Sequence, residues 1–239
     1  MRAQIVLFDG FDPLDVIAPY EVLYAGGLAL EGAVSVELVS AEGPREVVSG
    51  SGGLALRATT ALEPRRADLI IVPGAAGRVG EAGEVPDSEV PGGEVKAPEP
   101  KAVDGKRDES IPVLLGRTLA TELPARLKEA MDDPKVTVAA VCGGSLILAL
   151  HGLLEGRHAT THHLGLDLLD ATGAHMVRAR VVDDGDLVTG AGVTSGLDLG
   201  LYLLEREVGP RVAHAVEELF AHERRGTVWR AQGPVPTAF

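Results

Sequence analysis

Lys135-Val-Thr-Val-Ala-Ala-Val-Cys-Gly-Gly-Ser-Leu-Ile-Leu-Ala-Leu150 decides the fold. Val136, Val138, Ala139, Ala140 and Val141 form a short apolar, partly β-branched run, as expected of a central parallel strand covered on both faces. Cys142, the chain's only cysteine, follows, then Gly143 and Gly144. Glycine has no Cβ and tolerates the crowding of a sharp strand-to-helix turn. Ser145 onward reads as an apolar helix. A side chain at such an elbow stands above the strand end, against a helix N-terminus with free N–H groups and a positive dipole end. That location is expected to lower the thiol pKa and favour the reactive thiolate. The competing reading of a lone cysteine is a small buried hydrophobe.

Outward from the elbow, strands and helices alternate. Residues 3–8 are an apolar first strand, Asp9-Gly-Phe-Asp-Pro13 is turn chemistry, and residues 14–25 have helical spacing. Asp15, at the start of that helix, reads either as a cap or dipole partner or as an acid aimed at a site beyond the first strand. Residues 33–39 alternate as a second strand. Glu46-Val-Val48 and Leu54-Ala-Leu56 suggest a small hairpin. Residues 68–72 form another buried strand, ending in Pro73-Gly-Ala-Ala-Gly77, which is either an ordinary tight turn or a run of backbone N–H groups facing a ligand. Residues 80–112 are rich in Glu, Pro, Gly and Lys and read as a solvated acidic insertion. Residues 113–131 are expected to be one helix with Leu119, Leu123, Leu127 and Met131 on a single face. After the elbow come a short helix at 164–169, strands at 176–182 and 187–192 joined by an Asp-Gly turn, a helix from the Thr194-Ser-Gly-Leu-Asp198 cap to Val208, and a last helix at 211–224. The tail at 226–239 is loosely attached, with Trp229 its docking candidate. The whole chain, 1–239, reads as one α/β domain: a mainly parallel sheet with helices on both faces. Ligands in such folds sit beyond the carboxyl ends of the strands, so the loops carrying Asp15, Gly74-Ala75 and Cys142 should converge.

Composition narrows the function. With 239 residues, 45% hydrophobic, 24% charged and 3% aromatic, the chain can bury a core of Val, Leu, Ile and Ala. A net charge of −13 argues against a nucleic-acid surface, which needs clustered Lys and Arg. One cysteine excludes an internal disulfide, no Cys/His cluster has zinc spacing, and no apolar run is long enough to span a membrane. Met1-Arg-Ala-Gln opens no signal peptide, so a cytoplasmic location is expected.

Several blocks carry a family resemblance: Asp15-Val-Ile-Ala-Pro-Tyr-Glu-Val-Leu23, Ile71-Val-Pro-Gly74, Ala139-Ala-Val-Cys-Gly-Gly144, Gly152-Leu-Leu-Glu-Gly156 with Ala159-Thr-Thr-His162, and Asp184-Gly-Asp-Leu-Val-Thr-Gly-Ala-Gly-Val-Thr-Ser-Gly-Leu-Asp198. In this order they resemble the DJ-1/ThiJ/PfpI superfamily, above all its isocyanide hydratase (isonitrile hydratase) branch, and also the sensor domains of some AraC-type regulators. The resemblance implies a flavodoxin-like three-layer sandwich of the class I glutamine amidotransferase-like kind, a homodimer, and a small-molecule substrate. It makes Cys142 the nucleophile and Asp15 the acid beside its sulfur. Gly74, Ala75 and the Gly143 amide become an oxyanion-type pocket, with His162 and Glu21 as further site candidates. Gly143 stands where hydratases tend to carry threonine and proteases histidine, and His163 where the family tends to carry tryptophan.

The chemistry implied is thiolate attack on an isocyanide carbon, with Asp15 as general acid and no metal or organic cofactor. An acid pressed against a thiolate is expected to have a raised pKa. Glyoxalase-like or amidase-like chemistry on the same cysteine is the first alternative. A non-catalytic small-molecule sensor or a redox-responsive thiol is the second. The chain is expected to leave no room for a helix-turn-helix domain.

Overall fold

The computed structural model describes residues 1–79 and 109–235. Its chain order begins with β1 (Arg2–Leu7), α1 (Pro13–Ala29), β2 (Ser35–Ser40), β3 (Arg45–Val48), β4 (Ala55–Ala58), β5 (Thr60–Ala61) and β6 (Leu69–Val72). It continues through α2 (Ile111–Arg117), α3 (Leu123–Asp132), β7 (Thr137–Val141), α4 (Gly144–Leu150), β8 (His158–Ala159), α5 (Leu166–Ala171) and β9 (His175–Met176). The last elements are β10 (Val181–Asp183), β11 (Leu187–Gly190), α6 (Ser195–Glu207), α7 (Pro210–Phe220) and β12 (Trp229–Arg230).

The main sheet runs β12-β10-β11-β7-β6-β1-β2-β5. Its inner five strands, β2-β1-β6-β7-β11, are mutually parallel and stand in the order 2-1-3-4-5 of the flavodoxin-like sandwich. β10 is antiparallel to β11, joined through Asp184-Gly185 as expected. α1, α6 and α7 pack together on one face, and α3 and α4 cover β7 on the other. β6 and β7 are central and apolar because both faces are covered: Leu69, Ile70, Ile71, Val72 and Val138 through Val141 have no solvent exposure. Small residues let α1 and α6 approach closely. A Cβ on Gly200 would lie 3.1 Å from the Val22 side chain, and one on Gly196 3.2 Å from Pro19. No helix among the described residues is long and apolar enough to cross a membrane.

Three expectations need correction. The single helix at 113–131 is broken into α2, a 3-10 turn at Thr118–Ala120 and α3. Pro124 is the cause: without an N–H it cannot bond back to residue 120, so the helix breaks ahead of it and a new one starts with Pro124 in its first turn. Leu119, placed on the buried face, is 45% exposed. The strand at 176–182 is two fragments. β9 pairs with β8 outside the main sheet, while Val181 begins β10. Between them the Arg180 guanidinium binds the buried Asp198 at 2.6 Å, which takes this stretch off a strand path. Thr194 stands at the N-cap of α6, yet its hydroxyl accepts from Arg180 rather than from the helix. Most of the anticipated insertion, 80–108, lies outside the described residues; its last two positions, Ile111 and Pro112, open α2. The hairpin β3–β4 forms where expected.

Among the described residues the tail is tied down around β12. β12 pairs with β10, and the Trp229 ring lies 4.9 Å from that of His158. Trp229→Ala is expected to speed amide exchange across β12 and at Val182 while leaving β7 and β6 protected, as read by hydrogen-exchange mass spectrometry. Uniform loss of protection across the sheet would contradict this.

Candidate active site

Three loops at the carboxyl ends of β1, β6 and β7 meet at one point. The first turns through Gly10 into α1, whose N-cap is Asp12: its carboxylate accepts the Leu14 N–H at 2.9 Å. Asp12 thus takes the capping role that the sequence reading considered for Asp15. Asp15, one turn into the helix, points inward and has no exposure. The second loop is stitched to the first by Asp12 N–H to Gly74 O at 2.9 Å and Ala76 N–H to Gly10 O at 3.0 Å, with Ala75 bridged to Phe11. The third is the elbow.

Cys142 has φ +53, the left-handed region that non-glycine residues rarely enter. Its N–H donates to Gly190 O on β11 at 3.1 Å, and its carbonyl accepts the Thr161 hydroxyl at 2.7 Å. Neighbouring glycines are required for different reasons. A Cβ on Gly144 would run into the Val72 carbonyl oxygen, whereas one on Gly74 would sit 2.6 Å from the Gly143 nitrogen. Gly143 itself has ordinary helical backbone, and a Cβ there would touch Gly74 Cα and Leu115 at an unremarkable 3.5 Å.

The Asp15 carboxyl lies against the Cys142 thiol, and each acts on the other's ionisation. Asp15 Oδ2 accepts the Gly74 N–H at 2.9 Å, while Oδ1 has no hydrogen-bond partner among the described residues. Burial holds the Asp15 pKa well above the ordinary carboxyl range, reinforced by Asp12; the Gly74 amide and the thiol oppose that shift without cancelling it. The raised acid is as expected; the thiol is not. Cys142 is 7% exposed, and its pKa is pushed up rather than down. Burial is the largest cause and the Asp15 carboxylate the next, while the Gly143 N–H directed at the sulfur is too weak to offset them. The helix-end argument fails because α4 is one short helix acting on a thiol already removed from water beside an acid.

The remaining candidates divide. The Gly74 N–H is given to Asp15, so it is not a free donor; Ala75 is buried and bridged to Phe11, and the Gly143 amide lies against Gly74 and the sulfur. His162 is half-buried beside the elbow. Its Nδ1 accepts the Leu164 N–H at 3.3 Å, which assigns the ring proton to Nε2. Burial, and after it the charge of His163, whose ring lies tilted 4.1 Å away, lowers its pKa. Glu21 is exposed on α1; six residues from Asp15, it points about 240° round the helix and away from the buried pair. Thr161 went unassigned in the sequence reading, though it sits in the Ala159-Thr-Thr-His162 block. Two surface grooves, of about 590 and 460 Å³, lie elsewhere, and Cys142 lines neither.

The DJ-1/PfpI family profile matches residues 116–206, which include the elbow and Thr161. The isonitrile hydratase of Pseudomonas putida is 34% identical over 218 residues, covering 91% of this chain and 76% of that protein. The chain belongs to the DJ-1/PfpI family. The HTH-type transcriptional regulator CdhR of Pseudomonas aeruginosa is 36% identical over 92 residues, 38% of this chain and 27% of the regulator. Among solved structures, a ThiJ/PfpI family protein from Pseudomonas syringae superposes with a TM-score of 0.69 at 24% identity, covering 94% of this chain and 76% of that one. At that identity it speaks for the fold alone.

Two outcomes follow from the geometry. Gly143→Ala is expected to stay within about 1 kcal/mol of the parent in urea unfolding, while Gly144→Ala loses about 1–3 kcal/mol through its forced contact with Val72. Equal losses would show that both glycines serve the same purpose. A raised acid stabilises the fold below its unfolded pKa of about 3.9, and that contribution disappears as pH rises through the folded value. Asp15→Asn keeps an oxygen for the Gly74 amide and sheds the charge. Its melting-temperature advantage over the parent should therefore grow from about pH 5 to about pH 8. A constant difference would mean that Asp15 titrates normally.

Proposed function

We propose that this protein is an isocyanide hydratase-like enzyme, with Cys142 as nucleophile and Asp15 as proton carrier. The observation that carries the reading is the buried Asp15 carboxyl set against the Cys142 thiol, with Oδ1 unpaired. The 34% identity to an isonitrile hydratase over 91% of the chain supports the choice of substrate class.

The raised thiol pKa does not oppose catalysis if the two groups are treated as a pair. Between the two ionisations the pair holds one proton and one negative charge, and the proton resides on either sulfur or carboxyl. With the proton on Asp15, the carboxylate that disfavours the thiolate is gone, and the Gly143 N–H remains to stabilise the sulfur. This form attacks. A C–S bond forms at the terminal carbon of the isocyanide, and the Asp15 proton passes to that carbon, giving a thioimidate. Asp15, now a carboxylate, takes a proton from water as the water oxygen bonds to the same carbon. Proton transfer to nitrogen and cleavage of the C–S bond release an N-substituted formamide and restore the pair. The sum is isocyanide plus water, with no other reactant. The homodimer implied by the family resemblance belongs to the same proposal, supported by three exposed apolar side chains on the Glu21 side of α1: Leu14, Tyr24 and Leu28 are 44, 52 and 68% exposed.

The test is turnover of alkyl isocyanides, methylglyoxal and simple amides by the purified protein. Isocyanides should be hydrated. Cys142→Ala should abolish the activity, and Asp15→Asn should lower it by about 10²–10⁴. The activity requires the first proton of the pair to leave and the second to stay, so kcat/KM should be bell-shaped. The acid limb should lie alkaline of free Asp, about 3.9, and the alkaline limb above free Cys, about 8.5. Activity surviving in Cys142→Ala would end this reading. Ligand binding without turnover of any of the three classes would favour a sensor.

A further inference from the structure

A left-handed non-glycine residue costs of order 1–3 kcal/mol and persists only where its surroundings hold it. At Cys142 those surroundings are two hydrogen bonds. One is backbone to backbone, to Gly190 at 3.1 Å, and continues the β7–β11 ladder that the elbow leaves. The other comes from a side chain, the Thr161 hydroxyl at 2.7 Å. Thr161 is in turn held on a short segment fastened from two sides. The Thr160 N–H donates to Thr189 Oγ1 on β11 at 2.9 Å, and the Thr160 carbonyl accepts Ser145 Oγ from α4 at 2.7 Å. Thr160 and Thr161 are 1% exposed, and Ser145 and Thr189 are fully buried. Water therefore does not replace these bonds. A chain segment with no regular structure of its own is fixed between a strand and a helix, and its one outgoing hydroxyl bond ends on the nucleophile's own carbonyl.

We propose that Thr161 is a positioning residue, whose hydroxyl holds the Cys142 carbonyl so that the elbow keeps its left-handed turn and the sulfur faces Asp15. The inference rests on the reading of Cys142 as the reactive group, not on the identity of the substrate. Without the hydroxyl, a buried carbonyl is left unpaired and the elbow is free to relax toward ordinary backbone. The sulfur then leaves the carboxyl that raises its pKa.

The experiment compares the full-length parent with Thr161→Val, Thr161→Ala and Thr161→Ser. The readout is the pH dependence of Cys142 alkylation by iodoacetamide, followed by mass spectrometry, with melting temperature alongside. In Thr161→Val and Thr161→Ala the alkylation midpoint should fall toward that of a free thiol, about 8.5. If isocyanide turnover is found in the parent, kcat should fall about 10-fold or more, as misplacement of a reacting group does. Thr161→Ser, which keeps the hydroxyl, should restore both. Ser40→Ala is the control. It removes a buried hydroxyl-to-carbonyl bond of the same 2.7 Å at the end of β2, and should lower stability without moving the midpoint. The proposal is overturned if both hydroxyl-free variants alkylate like the parent whatever their melting temperatures, if Thr161→Ser fails to restore the midpoint, or if neither hydroxyl-free variant folds. Failure of the parent to hydrate isocyanides would remove the substrate assignment and leave the alkylation comparison intact.

Discussion

A carboxyl and a thiol are buried together, and neither can ionise without affecting the other. Asp15 is completely excluded from solvent, Cys142 nearly so. Water would solvate both charges; here the protein supplies one amide to each, Gly74 to the carboxylate and Gly143 to the sulfur. Two amides do not offset two desolvated charges, so the pair retains protons that either group would release alone.

The rest of the molecule is arranged to hold that contact. β1, β6 and β7 are adjacent and parallel, so the loops at their carboxyl ends rise side by side. Bonds between residues 10–12 and 74–76 fix the first two loops, and the clamp on Cys142 fixes the third. Glycine is required where backbones nearly touch, at Gly74 and Gly144, and not at Gly143. The small residues between α1 and α6 matter for the same reason: Gly196 and Gly200 let α6 pack closely on Pro19 and Val22 of α1.

Local pattern carried much of this in the sequence. The apolar run before Cys142, the glycines after it, the Asp-Gly hairpin and the alternation of strand and helix each depend on neighbours within a few residues, and each is found in the structure. Pro124 was an equally local signal for the break between α2 and α3, but the leucine spacing on either side masked it. The end of the 176–182 strand was not local: Arg180 is drawn off by Asp198, a partner on a different element.

The sequence by itself determined the α/β class, the position of the elbow and the set of blocks that mark the family, because side-chain periodicity and turn chemistry act over one or two turns of chain. Only the tertiary structure decided the upward shift of the thiol pKa, the burial of Asp15, the exclusion of Glu21 and the bond from Thr161 to the elbow. Those depend on which segments become neighbours and how much water is expelled between them. A pKa is set by that surrounding medium, and no short stretch of sequence contains its own medium.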